Sequence, residues 1–291
     1  MRLAALTAGI GAEAGRFAGT VHSVFVRACN IMTEQNLLLA LVTRETGAVP
    51  RGFQLATPQG FSFADHLRPG ARVACRAGIL RIAGSDLSID LRPARPWRGA
   101  PQARVAAAVA DGPARSAVAI AWRVAWTALE DHQGAAGFAR VAAGPIDALV
   151  RATSALHSCD AAAALMRLVG LGDGLTPAGD DLLAGYLAGL WRAAGTDPAR
   201  RAFLDALAAD ARFAAERTNA ISRSYLEAAA EGEVAEPLAF LADRIGAGDA
   251  ARTASAVAAA LSVGASSGAA GTLGLLLALR AWSGVSALAG G

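Results

Sequence analysis

The 291-residue sequence contains no lysine, because all 27 of its basic residues are arginines. This absence excludes mechanisms that depend on an amine side chain, namely a Walker-type phosphate loop, a Schiff base and a lysine general base. Any cationic role therefore falls to arginine, whose forked guanidinium group suits carboxylates and phosphates.

Cysteine and histidine are also scarce. The three cysteines (Cys29, Cys75 and Cys159) form no CxxC pair, and the four histidines show neither HxxxH nor HxH spacing. This pattern predicts neither a disulfide framework nor a zinc site, and it is typical of a reducing compartment. Glycines interrupt the first twenty residues too often for a signal peptide, so we expect a cytoplasmic protein.

Charged residues make up only 18% of the chain, whereas 54% is hydrophobic, so a large core is available. Residues 1–100 hold 12 arginines against 6 acids, a balance of +6, and the remainder holds 15 against 18, a balance of −3. The basic half has no basic run interleaved with aromatic residues, so we expect no nucleic-acid binding. A small anionic substrate is the expectation instead.

One uncharged stretch, residues 253–279, is long enough to span a membrane. It is interrupted by serines and glycines between Ser262 and Gly271. We therefore expect a buried helix, a tight loop of small residues and a second buried helix, and no membrane span.

The hydrophobic pattern predicts an α+β protein with two domains. Residues 1–98 contain short apolar runs with β-branched residues, broken by glycine and proline, and predict a β-rich domain. The proline-dense segment "RPARPWRGAP" (residues 92–101) ends this pattern, and we place the boundary near residue 98. Residues 99–291 are rich in alanine and glycine, with apolar residues three and four apart, and predict an all-helical domain.

Nine helices are predicted in that second domain. They are expected at residues 118–130, 145–156, 160–168, 177–194, 198–214, 219–230, 237–245, 249–262 and 269–282.

The most informative stretch is "GLGDGLTPAGDD", residues 170–181. Gly172 and Gly174 permit positive φ angles and bring backbone N–H groups close to a ligand. Thr176 fits the N-cap of the following helix, and Pro177 fits its first position. A helix N-terminus preceded by glycines is an anion site. The alternative is a well-capped helix whose acids complement its dipole.

Two features of this stretch favour function. Gly179 lies in the first helical turn, where alanine would be more stable by roughly 1 kcal/mol, so something must approach closely. Asp180 and Asp181 point about 100° apart and cannot reach the same atom. We expect one of these catalytic candidates to fix the glycine loop and the other to face the ligand or a divalent metal ion, with Asp180 the candidate metal ligand.

A second serine- and glycine-rich loop precedes the last helix, in "SVGASSGAAGTLG" (residues 262–274). Ser266 and Ser267 offer hydroxyls and backbone donors to an oxyanion or a phosphate. The alternative is helix packing through small residues.

The segment "RTNAISRSYLEAAAEGE" (residues 217–233) supplies a third candidate. Thr218 or Asn219 fits a helix cap, Ser222 lies one turn further on, and Arg217 fits a clamp for a carboxylate or phosphate. Arg223 is a second candidate for that clamp, and solvated surface arginines are the alternative.

In the β-rich domain, Asn30 and Arg51 are weaker candidates for substrate binding. Arg51 lies in a Pro-Arg-Gly turn.

The two glycine motifs have matching stripes of small residues. Gly185 and Gly189 leave one bare stripe, and Gly271, Gly274 and Ala278 leave another. Such stripes let helix axes approach to about 8 Å. We expect the two helices to pack together with their N-termini converging, so that both loops flank one anion pocket.

Together these stretches resemble the AllH-like family, whose signature is G-x-G-x-GLTP-[SA]-GDD-x-x-AG. The matching positions are Gly172, Gly174, Leu175, Thr176, Pro177, Gly179, Asp180 and Asp181. Ala178 stands where serine is frequent in the family, so one hydroxyl is missing. The segments "VHSVFVRACN", "RTNAISRSYLEAAAEGE" and "GASSGAAGTLG" follow the family's order, so the resemblance covers most of the chain.

The resemblance implies a subunit of oxamate carbamoyltransferase in purine (allantoin) catabolism. The implied reaction is the phosphorolysis of N-carbamoyl-oxamate to oxamate and carbamoyl phosphate. It also implies phosphate as a second ligand and further subunits as partners, including an FdrA-like one.

Two other classes of function stay open on the sequence. One is a non-catalytic structural subunit whose glycine motifs serve helix packing. The other is a small-anion or amide-binding protein of the same fold with a different substrate, for example one that hydrolyses an amide.

Overall fold

The computed structural model describes residues 1–99, 113–132 and 136–283. The chain divides into two compact units, Met1–Gly99 and Ala100–Gly291. All strands of the described residues lie in the first unit, and all helices longer than four residues lie in the second. The predicted α+β fold, with β structure first and helices after it, is confirmed.

The N-terminal unit is a nine-stranded sheet. Its strands are β1 (Arg2–Gly9), β2 (Phe17–Val24), β3 (Ala28–Thr33), β4 (Leu38–Val42), β5 (Gly52–Leu55), β6 (Arg72–Arg76), β7 (Ile79–Ile82), β8 (Ser88–Asp90) and β9 (Arg95–Trp97). The strand order is β5-β4-β3-β2-β6-β7-β8-β1-β9, and β5 also pairs with β1. The sheet therefore closes on itself, with β9 added beside the end of β1.

Alternating side chains fill the inside of this closed sheet. The burial pattern along β6 is exposed, buried, half-buried, buried, exposed, so Val73 and Cys75 face the core. Ile31, Phe53 and Leu80 are fully buried in the same core. Strands such as β6 therefore have one apolar face, whereas β4 is buried along its whole length.

Two of the short apolar runs from which the β-rich domain was predicted, residues 20–32 and 52–63, are interrupted in the structure. The run at residues 20–32 contains two strands, because Phe25, Val26 and Arg27 form an exposed connection between β2 and β3. Only Gly52–Leu55 of the run at residues 52–63 is a strand. A short helix, α1 (Phe63–His66), follows it and buries Phe63.

The second unit contains ten described helices. They are α2 (Pro113–Asp131), α3 (Ala136–Val141), α4 (Ala143–Ser154), α5 (Ser158–Leu168), α6 (Ala178–Ala193), α7 (Pro198–Ala214), α8 (Ala220–Ala229), α9 (Glu236–Gly246), α10 (Ala250–Leu261) and α11 (Ser267–Ser283).

All nine predicted helices are confirmed, and the bounds of eight agree within two residues. Helix α2 begins five residues earlier than predicted. Helix α3 was not predicted, because the surrounding glycines weaken the helical pattern in "QGAAGFARVAAGP".

Helices α6 and α11 lie in the core of this unit. Leu182, Leu187 and Leu275 are fully buried. The Tyr186 hydroxyl donates to Thr153 Oγ1 at 2.7 Å, so the buried phenol has a partner.

The uncharged stretch at residues 253–279 forms most of α10, a turn, and most of α11, as predicted. Over the described ranges, no helix has both the length and the apolarity needed to cross a membrane.

Candidate functional site

Helices α6 and α11 touch through their main chains. A Cβ placed on Gly185 would lie 1.9 Å from the Gly271 carbonyl oxygen, and one on Gly274 would lie 2.0 Å from the Leu182 carbonyl oxygen. Only glycine fits such contacts. The predicted packing of the two small-residue stripes is therefore confirmed.

The N-termini of the same two helices converge, as predicted. The hydroxyls of Thr176 and Ser267 form a hydrogen bond of 2.8 Å across the junction. The prediction that Thr176 caps α6 is wrong. Pro177 occupies the N-cap position and no side chain caps the helix, because the Thr176 hydroxyl is turned toward Ser267.

The glycine loop before α6 has the predicted backbone. Gly170, Gly172 and Gly174 have φ angles of +72°, +112° and +98°, a region that L side chains rarely adopt. The loop surface from Gly172 to Leu175 is exposed, and Leu175 retains 50% of its accessible surface.

Asp180 holds this loop in place. Its Oδ1 accepts a hydrogen bond of 2.7 Å from the Gly170 N–H, and its Oδ2 accepts one of 2.5 Å from the Thr218 hydroxyl. The residue is only 2% exposed. Both carboxylate oxygens are thus engaged, and Asp180 ties the loop and the segment before α8 to the start of α6.

Gly179 permits a close approach of main chain. A Cβ there would lie 2.0 Å from the Leu168 carbonyl oxygen, at the end of α5. Its N–H donates to the Leu171 carbonyl at 2.8 Å. The close approach that the sequence predicted at Gly179 is made by the protein's own main chain. A role of Gly179 in substrate binding stays a prediction.

Asp181 is the acid between the two helix N-termini. The hydroxyls of Ser267 and Thr176 lie beside its carboxylate, and because they also bond to each other, one proton of the pair is left to donate to the acid. The Oδ2 of Asp181 is buried without a hydrogen-bond partner among the described residues. Burial raises the pKa of Asp181 to about 7, and the nearby Asp180 charge adds to the rise against the opposing effect of the two hydroxyls. Asp181 is thus poised to exchange a proton near neutral pH.

Helix α8 adds two polar side chains on one face. Asn219 caps it, accepting from the N–H groups of Ile221 and Ser222 at 3.0 and 3.1 Å. Ser222 is 2% exposed, and its Oγ has no hydrogen-bond partner within the described ranges. Asn219 is thus the capping residue, one of the two alternatives that the sequence left open.

Tyr225 is a site residue that the sequence analysis missed. Burial raises its pKa to about 12, and the charge of Asp181 contributes to the rise, which places the phenol near that acid. Its spacing three residues after Ser222 puts both on one helical face, and this was the available signal.

The two arginines of this segment differ. Arg223 is paired with Glu227 at 2.8 Å and Glu216 at 3.6 Å, so it has the role of a surface ion-pair residue. Arg217 is exposed, and its carbonyl oxygen lies beside Gly170. A role of Arg217 in ligand binding stays a prediction.

Ser266 and Ser267 flank the start of α11. Ser267 contacts Thr176 and Asp181, as described above. Ser266 is half-buried, and its carbonyl accepts from the Ala270 N–H at 2.9 Å. Ser267 therefore belongs to a polar cluster with Thr176 and Asp181, which we call the Asp181 cluster, and Ser266 lies beside it.

Asn30 and Arg51 have structural contacts within the N-terminal unit. Asn30 is 4% exposed, and its amide donates to Ser23 Oγ at 3.0 Å. Arg51 has a φ of +52°, and its N–H donates to the Ile10 carbonyl at 2.8 Å. A role for either in substrate binding stays a prediction.

No group of three or more His, Cys, Asp or Glu side chains in the described part of the chain is arranged to hold a metal ion. Each oxygen of Asp180 already accepts one hydrogen bond, which leaves one lone pair on each for a further partner. A divalent metal ion at this acid stays a prediction.

A groove of about 390 Å³ lies elsewhere in the helical unit, between α4 and α5. Arg151, His157, Asp160 and Arg167 line it and are all exposed. We place the candidate site at the Asp181 cluster instead, because a buried carboxylate oxygen without a partner calls for a ligand more strongly than solvated charges do.

The fold and the cluster define a two-unit α+β protein with an acid and two hydroxyls at converging helix N-termini. The family model described as oxamate carbamoyltransferase subunit AllH matches residues 168–279, and the model of the AllH family N-terminal domain matches residues 5–96. The chain belongs to the AllH family. No curated protein and no solved structure gives a match.

The family description supports a carbamoyltransferase-related subunit that acts within a complex. The segment matched by the AllH subunit model, residues 168–279, begins at the last residue of α5 and ends in α11. It therefore includes the glycine loop, Asp180, Asp181, Ser222 and Ser267.

Proposed function

We propose that this chain is the carbamoyl-transferring subunit of an enzyme that resembles oxamate carbamoyltransferase. Its substrates would be N-carbamoyl-oxamate and phosphate, in a cytoplasmic step of purine catabolism, and its partners would include an FdrA-like subunit. The observation that carries the proposal is Asp181, a half-buried residue at the junction of two helix N-termini. Its Oδ2 is buried without a partner among the described residues, and desolvation raises its pKa to about 7.

The chemistry requires a phosphate oxygen to attack the carbamoyl carbon and the bond from that carbon to the oxamate nitrogen to break. The departing nitrogen must gain a proton, and the attacking phosphate loses one, so atoms and charge balance. A general acid whose pKa lies near the working pH suits both transfers. We assign protonated Asp181 as the donor to the nitrogen, with the proton recovered from the phosphate.

The anionic groups would be held by the start of each helix. Main-chain carbonyls already accept from the N–H groups of Gly179 and Gly268, so the attraction would come mainly from the positive ends of the two helix dipoles, which begin side by side. Because Thr176 and Ser267 bond to each other, their two hydroxyls leave one proton for a ligand when Asp181 is protonated. Ser222 offers a further hydroxyl, whose oxygen has no partner within the described residues.

An acid beside an anion site would ordinarily repel the ligand. The raised pKa of Asp181 lessens this difficulty, because the protonated form carries no charge when phosphate arrives. Its unpaired Oδ2 can also accept a hydrogen bond from the carbamoyl NH₂ group after the proton is transferred.

Asp180 has a positioning role in this proposal. It joins Gly170 and Thr218 to the start of α6 and thereby fixes the loop around the reacting groups. The exposed Asp173, in the same loop, provides a matched control for substitutions of either acid.

The test is to co-express the chain with the proteins encoded beside its gene, purify the complex and measure carbamoyl phosphate formed from N-carbamoyl-oxamate and phosphate. Asp181→Asn should lower kcat by about 10²–10⁴-fold, the range of general acid catalysis. Asp173→Asn should leave kcat close to that of the wild type.

Equal kcat for Asp181→Asn and wild type would contradict the assigned acid. Release of ammonia without carbamoyl phosphate would indicate hydrolysis of the amide instead. A complex that binds neither phosphate nor the carbamoyl compound would indicate a structural subunit.

A further inference from the structure

Three arginines form a cluster on the outer face of the closed sheet. Along β6, Arg72 and Arg76 are exposed, while the residues on either side of Ala74 face the core. In the β6–β7 hairpin, Arg81 stands directly opposite Ala74. Arg81 is therefore the diagonal neighbour of both other arginines, at Cα separations of about 7–8 Å.

The acids of strand β8 and of the turn before it already have partners. Asp90, on the neighbouring strand β8, pairs with Arg2 at 2.8 Å and with Arg92 at 2.6 Å. Asp86, before β8, lies 3.2 Å from the amino group of Met1. The guanidinium groups of the cluster form no ion pair or hydrogen bond with any residue that the structure describes.

Like charges repel one another at the diagonal spacing of these arginines, although less than they would directly opposite. The repulsion is relieved when an oppositely charged surface binds, and the forked guanidinium group suits carboxylates in particular.

We infer that Arg72, Arg76 and Arg81 form a docking surface for an acidic patch on another protein subunit. The inference is independent of the carbamoyl chemistry. Two observations favour a protein over a nucleic acid: the outward residues between the arginines, Ala74 and Ile79, offer no aromatic ring on which a base could stack, and the family is described as a subunit.

The probe is a fluorescently labelled polyglutamate peptide, titrated with the full chain. The triple variant Arg72→Gln, Arg76→Gln, Arg81→Gln is compared with a control of equal charge change, Arg140→Gln, Arg151→Gln, Arg167→Gln, in exposed helical positions. A single-stranded DNA oligonucleotide of matched charge is titrated in parallel.

We expect the sheet variant to bind polyglutamate about tenfold more weakly than the wild type, a loss that three exposed ion pairs can supply. The helical control should bind close to the wild type. Binding should disappear in about 1 M salt, where the Debye length is roughly 3 Å.

Equal weakening of both triple variants, or no binding by the wild type, would overturn the inference. Tighter binding of the oligonucleotide than of polyglutamate, lost in the sheet variant alone, would replace the protein partner with a nucleic acid.

Folding is checked separately, because the inference requires that these arginines do not stabilise the isolated chain. The sheet variant should melt at the wild-type temperature or above it in low salt. A lower Tm would assign the arginines a structural role and overturn the inference. Arg81→Gln alone, at the centre of the cluster, should still weaken binding measurably.

Discussion

Gly185→Ala should separate the two helices that bear the candidate site. The added Cβ would lie 1.9 Å from the Gly271 carbonyl oxygen and 2.9 Å from its Cα, so α6 and α11 must move apart by about 1 Å to bring the shorter contact even to 3.0 Å. Both atoms belong to the main chain of a central helix and cannot rotate away as a side chain would.

The expected loss of stability follows from two opposing effects. Overpacking of this kind costs about 3 kcal/mol, and alanine in a helix is favoured over glycine by about 1 kcal/mol. The net loss is thus about 2 kcal/mol in the free energy of unfolding, or a fall in Tm of roughly 4–8 °C for a unit of this size. Thermal denaturation followed by circular dichroism measures it.

Gly271→Ala is the matched control on the facing helix. A Cβ there would meet the Asp181 carbonyl oxygen at 3.6 Å and Leu238 Cδ2 at 3.8 Å, both ordinary contacts. The change should therefore raise Tm by about 1–4 °C through helix propensity. Equal Tm values for the two variants would refute the conclusion that main-chain contact sets the spacing of these helices.

Three further predictions concern the polar groups around the glycine loop. Asp181 has a folded pKa of about 7 against an ordinary 3.8, so the folded state binds the extra proton and stability falls as pH rises between these values. Asp181→Asn should therefore match the wild-type Tm below about pH 4 and exceed it above about pH 7; a variant with the lower Tm at high pH would show that burial does not disfavour the charge. Asp180→Asn should lower the free energy of unfolding by about 2 kcal/mol, because the Thr218 hydroxyl loses a charged acceptor. In urea denaturation, the exposed control Asp173→Asn should change the free energy of unfolding by less than about 0.5 kcal/mol. Equal losses for the two variants would show that the hydrogen bonds of Asp180 to Gly170 and Thr218 do not stabilise the fold. Asn219→Ala should lower the free energy of unfolding by about 1 kcal/mol, the usual contribution of an N-cap side chain. Asn219→Ser keeps a capping oxygen, so its free energy of unfolding in the same assay should be close to that of the wild type.

The elements that the sequence predicted well are those with strong periodic patterns. Helices such as Pro198–Ala214 have both a capping residue and a continuous apolar stripe, so both ends agree with prediction. Helix Ala136–Val141 was not predicted, because it is short and lies among glycines that weaken the helical pattern. The pattern also did not show that the sheet closes, since pairing between β1 and β5 joins residues about fifty apart in the chain.

The candidate site was predictable in its position and only partly in its roles. Spacing of Gly185, Gly189, Gly271 and Gly274 was enough to predict that α6 and α11 pack with their N-termini together. The sequence predicted that one aspartate fixes the loop, but not that it is Asp180, because this depends on Gly170 and Thr218, which reach Asp180 from other segments. Tyr225 was missed for the same reason, since its proximity to Asp181 is a tertiary contact.

Closure of the N-terminal sheet limits how a partner can bind to it. Strands β1 to β8 all have hydrogen-bonded neighbours on both sides, and the added strand β9 is three residues long with a proline at its centre. An incoming extended peptide therefore finds almost no free row of N–H and C=O groups to join. Recognition at this unit depends on side chains, so amino-acid replacements on its outer surface can change the partner while the backbone scaffold stays the same.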